Sequence, residues 1–175
     1  AEIKSFSAIS EKMNVDHIIS ILHGFYTTAQ EIFFKNNGTF GNISGNQLMA
    51  VFGLISSDNG APHNAIKAAL EMQDAAKKLI KNKSNKDNET IEIGIGINTG
   101  DIVSGNIRFK NRLDYTVLGD CVDIASKLQQ ISKGGEIIIG EKTFLCCQGD
   151  FKIQKLGKIK SENNDDNIIC YKIIS

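Results

Sequence analysis

Residues Asp114–Gln129 read DYTVLGDCVDIASKLQ, and the reading of this stretch decides the fold. Gly119 breaks it as a turn. Asp120 to Ser132 follows as a helix, ended by Gly134-Gly135. On the N-terminal side, Ile91, Ile93, Ile95 and Ile97 alternate with polar or Gly residues, which is the period of a strand with one buried face. Gly100-Asp101 then turns into Ile102 to Ile107, expected as that strand's partner. On the C-terminal side, Glu136 to Gly140 is a buried strand. Phe151 to Ile159 and Ile168 to Ile174 form a closing hairpin around the polar ENNDDN.

The N-terminal half has the same alternation of elements. Ala1 to Phe6 reads as a short strand. Asn14 caps a long helix whose apolar residues, from Val15 through Ile18, Leu22, Phe25, Ala29 and Ile32, recur every three to four positions until Asn37-Gly38. Phe25, Phe33 and Phe34 are read as helix packing or a dimer face. Thr39–Ser44 and Gln47–Gly53 are two strands joined tightly at Gly45-Asn46. A second helix runs from about Asn64 to Lys81, and the polar KNKSNKDNE after it is a loop. Strands and helices interleave without a repeat or a Pro-rich linker. The expected fold is therefore α/β (α+β), with a ferredoxin-like βαββαβ core and additional strands and helices. Residues 1–175 are expected to be one domain, part of a longer chain.

Composition narrows the function classes. The chain has 175 residues, 41% of them hydrophobic and 23% charged, with no net charge, which suits a globular domain. No basic footprint for nucleic acid or a membrane surface is present, and no apolar run reaches the ~18 residues of a membrane span. The opening AEIKSF is no signal peptide, which leaves room for a sensor or membrane segment upstream. The domain itself is expected to be cytoplasmic, with a full-length protein that is either soluble or membrane-attached. Cys121, Cys146, Cys147 and Cys170 form no C-x-x-C pair and are read as reduced thiols. His17, His23 and His63 have no metal-ligand spacing.

Four segments in order resemble the class III nucleotidyl cyclase (adenylate and guanylate cyclase) catalytic domain. DYTVLGDCVDIASKLQ is similar to that family's D-Y-T-V-x-G-D-x-V-N-x-A-x-R-L. EIKSFSAISE (2–11) resembles D-I-x-G-F-T-x-L-S-E. GTFGNISGNQLMAVFG (38–53) resembles G-G-x-x-x-K-x-x-G-D-x-x-M-A-x-F-G, and IGIGINTGDIVSGNI (93–107) resembles G-I-G-I-H-x-G-x-V-x-G-N-I. LGKIKSENNDDNIICYKI (156–173) has the length of the family's closing hairpin.

The resemblance implies an in-line attack of a ribose 3′-oxygen on the α-phosphate of a nucleoside triphosphate, with loss of pyrophosphate. Such chemistry needs positioning and charge neutralisation more than covalent help. It also implies two Mg²⁺ or Mn²⁺ ions held by two carboxylates, and a head-to-tail dimer, homomeric or with another cyclase domain, whose sites lie at the interface.

Carried over position by position, the resemblance places Glu2 and Asn46 at the two metal aspartates. Asn42 stands at the base-selecting Lys and Thr116 at the second base-selecting position. Asp123 stands at the ribose-orienting Asn, and Lys127 at the transition-state Arg. Arg112 matches a phosphate-side Arg, with Asn111 competing for that register. The phosphate-binding Lys of the closing hairpin falls near Glu162 or Asn164, neither a cation. The family's set Asp, Asp, Lys, Asn and Arg carries no net charge, whereas Glu2, Asn46, Asn42, Asp123 and Lys127 carry one negative charge. Lys127 keeps a charge but loses the bidentate fork of Arg.

A plainer reading stands beside each of these. Glu2 and Asn46 also suit a strand start and a Gly-Asn turn. Asp123 and Lys127 also suit an i,i+4 ion pair on one helix face. The expectation is a degenerate cyclase homology domain, weakly active or inactive, that acts by dimerising in cyclic-nucleotide signalling. The alternatives are an active adenylate cyclase forming cAMP and pyrophosphate from ATP, and a nucleotide or small-ligand sensor.

Overall fold

A computed structural model describes residues 1–54, 60–79, 91–109, 112–160 and 167–174. The chain divides into two units: Ala1–Gly94 with Lys133–Gly135, and Ile95–Ser132 with Glu136–Ser175.

The first unit is the βαββαβ core. It comprises β1 (Glu2–Ile3), α1 (Phe6–Ser10), α2 (Val15–Lys35), β2 (Gly38–Ser44), β3 (Gln47–Phe52), α3 (Ala61–Leu79) and the first residues of β4 (Ile93–Ile97). The strands lie in the order β2-β3-β1-β4, each pair antiparallel. Asn14 caps α2 by accepting the His17 N–H at 2.9 Å, a contact type whose loss costs about 1 kcal/mol. Phe25, Ala29, Ile32 and Phe33 form the buried stripe of α2, and Ala65, Ile66, Ala69, Met72 and Ala76 that of α3. Small residues on α3 leave little between helix and sheet, and the buried Gln73 amide donates to the Ile93 carbonyl at 2.9 Å. Phe33 also meets the rings of Phe40 and Phe52, whereas Phe34 is exposed.

The second unit begins with Ile95–Ile97 of β4. It continues through β5 (Val103–Phe109), β6 (Arg112–Leu118), α4 (Asp120–Ile131), β7 (Ile137–Gly140), α5 (Glu141–Cys146), β8 (Ile153–Lys160) and β9 (Asn167–Ile173). Its sheet runs β4-β7-β9-β8, with β4 and β7 parallel and joined across α4. Leu128, Ile138 and Cys170 form its centre, with Ile124, Ile159 and Ile168 packed around them. A Cβ at Gly96 would overlap the Gln129 nitrogen and the Ala125 carbonyl, so α4 lies directly on the β4 backbone.

Four sequence expectations change. The first strand is only two residues long, because Ser5 turns left-handed (φ 55°) and Phe6 starts a helix. The partner of β5 is β6, not β4. Neither β6 nor α5 was expected. The KNKSNKDNE loop, and residues 162–166 of the ENNDDN turn, lie outside the described residues.

None of the four cysteines is in a disulfide. Cys146 is exposed and Cys147 fully buried. Burial, helped by the neighbouring Cys146 and Asp150, pushes the Cys147 thiol up from 9.0 to about 11. Iodoacetamide at pH 8 should therefore label Cys146 in the native protein and reach Cys147 only after denaturation, as peptide mass mapping will show. The folded value lies above the unfolded one. Cys147 thus contributes stability that is complete below pH 9 and is lost as the pH rises to about 11. Denaturation midpoints across that range check the sign.

Candidate functional site

Three candidates sit in the first unit, around the tip of the β2–β3 hairpin. Gly45 (φ 57°) and Asn46 form its two-residue turn between the paired Ser44 and Gln47, and the Tyr26 hydroxyl donates to the Gly45 carbonyl. Glu2 pairs with Gln47 across the β1–β3 ladder, which sets its carboxylate beside the turn. Oε2 of Glu2 accepts from Lys4 Nζ at 2.8 Å. Oε1 accepts from Gln47 Nε2 at 3.2 Å and, at the limit of a hydrogen bond, from Asn46 Nδ2 at 3.5 Å. The same Asn46 amide donates to the Ile3 carbonyl at 2.8 Å, while the Ile3 N–H returns to the Asn46 carbonyl at 3.1 Å. The Lys4–Glu2 pair keeps only 18% and 22% of its side-chain surface, so it is far better shielded than a surface ion pair. Asn42 is exposed, in the register irregularity of β2 between Phe40 and Ile43.

This donor set does not fit two divalent ions. Magnesium takes oxygen ligands in near-ideal octahedral geometry, usually with one or two carboxylates. Here one carboxylate is present, and a lysine ammonium already neutralises it. Asn46 turns its NH₂, not its oxygen, toward Glu2 and Ile3. Turned the other way, its oxygen would face the two oxygens that it now bonds. Among the described residues, no cluster of three or more His, Cys, Asp or Glu could hold a metal.

The remaining candidates belong to the second unit. Thr116 is half-buried on β6, opposite Gly105. Arg112 opens β6 opposite Phe109, and its side chain lies outside the described residues. Glu162 and Asn164, near which the resemblance places a phosphate-binding cation, also lie outside them.

Asp123 and Lys127 are one turn apart on α4. Asp123 is exposed and shares the first turn of α4 with Asp120. Both carboxylates suit the positive end of the helix, and together they oppose an incoming phosphate there. Asn98 steadies that end, its Nδ2 donating to the Cys121 carbonyl at 3.3 Å.

Sequence reasoning missed Lys4, Gln47 and Asn98. Lys4 was within reach: residues i and i+2 of a strand share a face, and a cation two places from Glu2 is placed to meet it.

The whole chain, residues 1–175, matches the family described as the adenylate and guanylate cyclase catalytic domain. It is 29% identical to an adenylate cyclase of Anabaena cylindrica over 98% of this chain and 35% of that protein. It is 32% identical to the terminal-differentiation-specific adenylate cyclase of Dictyostelium discoideum over 99% of this chain and 8% of that protein. The chain thus spans about a third or less of the length of these relatives. Among solved structures, the adenylyl cyclase CyaB of P. aeruginosa superposes with a TM-score of 0.93 at 25% identity, over 99% of this chain and 90% of that one.

Proposed function

The chain belongs to the adenylate and guanylate cyclase catalytic domain family, and from that premise we propose that it is a cyclase homology domain of little or no turnover. In this reading residues 1–175 form one domain that works in the cytoplasm. It acts by associating with a second cyclase domain, identical or different, and so regulates cyclic-nucleotide formation.

The observation that carries the reading is the Glu2 carboxylate, engaged by Lys4 and two side-chain amides where the family uses a pair of metal-binding aspartates. Asp123 and Lys127 support it. A carboxylate replaces the ribose-orienting amide, which adds negative charge beside a substrate carrying roughly four negative charges. Lys127 brings a point charge where two parallel hydrogen bonds are wanted. Loss of a single transition-state donor typically costs ~10²–10³ in rate, and several are altered here.

The second reading, an active adenylate cyclase, is favoured by one observation: likeness to adenylate cyclases over nearly the whole chain. No helix among the described residues is long and apolar enough to cross a membrane.

Association is tested by sedimentation equilibrium of the purified chain. A concentration-dependent dimer is expected. A strict monomer that also fails to pull a cyclase domain into a heterodimer counts against the proposal.

A further inference from the structure

We propose that Lys4 and Asn46 form a built-in substitute for the metal at the hairpin tip, which any divalent ion would have to dismantle in order to bind. The inference rests on the reading above only in placing Glu2 and Asn46 at the metal positions; the contacts themselves belong to this chain.

Oxygens of Glu2 and Ile3 converge on one nitrogen, Asn46 Nδ2, at 3.5 and 2.8 Å. Two oxygens that converge without a cation between them repel. Here the polar hydrogens of an amide lie between them. The remaining charge of Glu2 is met by Lys4 Nζ at 2.8 Å, in surroundings that shield the pair from water. Gln47 donates a further hydrogen bond at 3.2 Å.

The cluster therefore supplies what a metal would supply, positive charge toward oxygen, from side chains fixed in the fold. It also ties the short β1 to the β2–β3 hairpin, with the Ile3 N–H to Asn46 carbonyl bond running alongside. A divalent ion gains little there. It would have to displace an ammonium already in contact and rotate the Asn46 amide by half a turn to expose its oxygen. The net charge it would meet from Glu2 and Lys4 is zero.

Mn²⁺ is the probe, with binding followed by loss of the free-ion paramagnetic resonance signal. The intact chain should show no site filled below millimolar Mn²⁺, and its melting temperature should be the same in EDTA and in Mg²⁺. The double variant Lys4→Met with Asn46→Asp removes the competing cation and adds a second carboxylate. It should bind Mn²⁺ at least about tenfold more tightly, since affinity for hard cations follows the charge count of the ligands. Asn46→Asp alone should fall between, and because it keeps Lys4 it reports even if the double variant does not fold.

Sub-millimolar Mn²⁺ binding by the intact chain, abolished by Glu2→Ala, would overturn the inference. So would variants that fold, as judged by circular dichroism, yet bind no better than the original. Neither result decides turnover, which is read separately from cyclic nucleotide formed.

Discussion

Gly96→Ala should destabilise the second unit by about 3 kcal/mol or more, at or beyond the upper end of ordinary overpacking. The added Cβ would meet backbone atoms, the Gln129 nitrogen and the Ala125 carbonyl, with Gln129 Cα 2.8 Å away. Flexible side chains can move aside, but a helix backbone moves only as a whole. Shifting α4 off β4 would open the cluster of Leu128, Ile138 and Cys170. Urea unfolding monitored by circular dichroism checks this. The midpoint should fall sharply, and Gly105→Ala, whose Cβ would meet nothing within 4 Å, should leave it nearly unchanged.

The second large effect is a gain. The combined variant Glu2→Asp, Asn46→Asp, Asn42→Lys, Asp123→Asn and Lys127→Arg restores each altered family position among those five. Cyclic-nucleotide formation should rise by ~10² or more over the unmodified chain, the scale of one recovered transition-state donor. Single reversions should do far less, because residues that act as a unit are strongly non-additive. A variant that dimerises by sedimentation and still gives no product would contradict the account of these five positions.

Much of the fold was legible because its signals are local. The Asn14 cap and the spacing of Phe25, Ala29 and Ile32 gave α2 nearly to the residue. Gly45-Asn46 gave the hairpin, since a left-handed turn position selects such residues. What escaped was non-local or short. β5 pairs with β6 along its whole length, and no alternation within β5 says which strand it will meet. The six residues of α5 are too few to show a period.

The motifs name candidate positions for the site, but the contacts those residues make are not written in the motifs. The partner that matters to Glu2 is Lys4, a residue the motif leaves unspecified. The extra methylene of Glu2 relative to Asp gives its carboxylate a longer reach, and what it meets depends on the folded arrangement of β1 and the turn.

The most direct test of the account is a turnover assay. The purified chain is incubated with Mg²⁺ or Mn²⁺ and ATP or GTP, and cyclic AMP and cyclic GMP are quantified by mass spectrometry. No product above that of the Glu2→Ala protein is expected under any of these conditions. Clear turnover that Glu2→Ala abolishes would contradict it and establish the chain as a working cyclase.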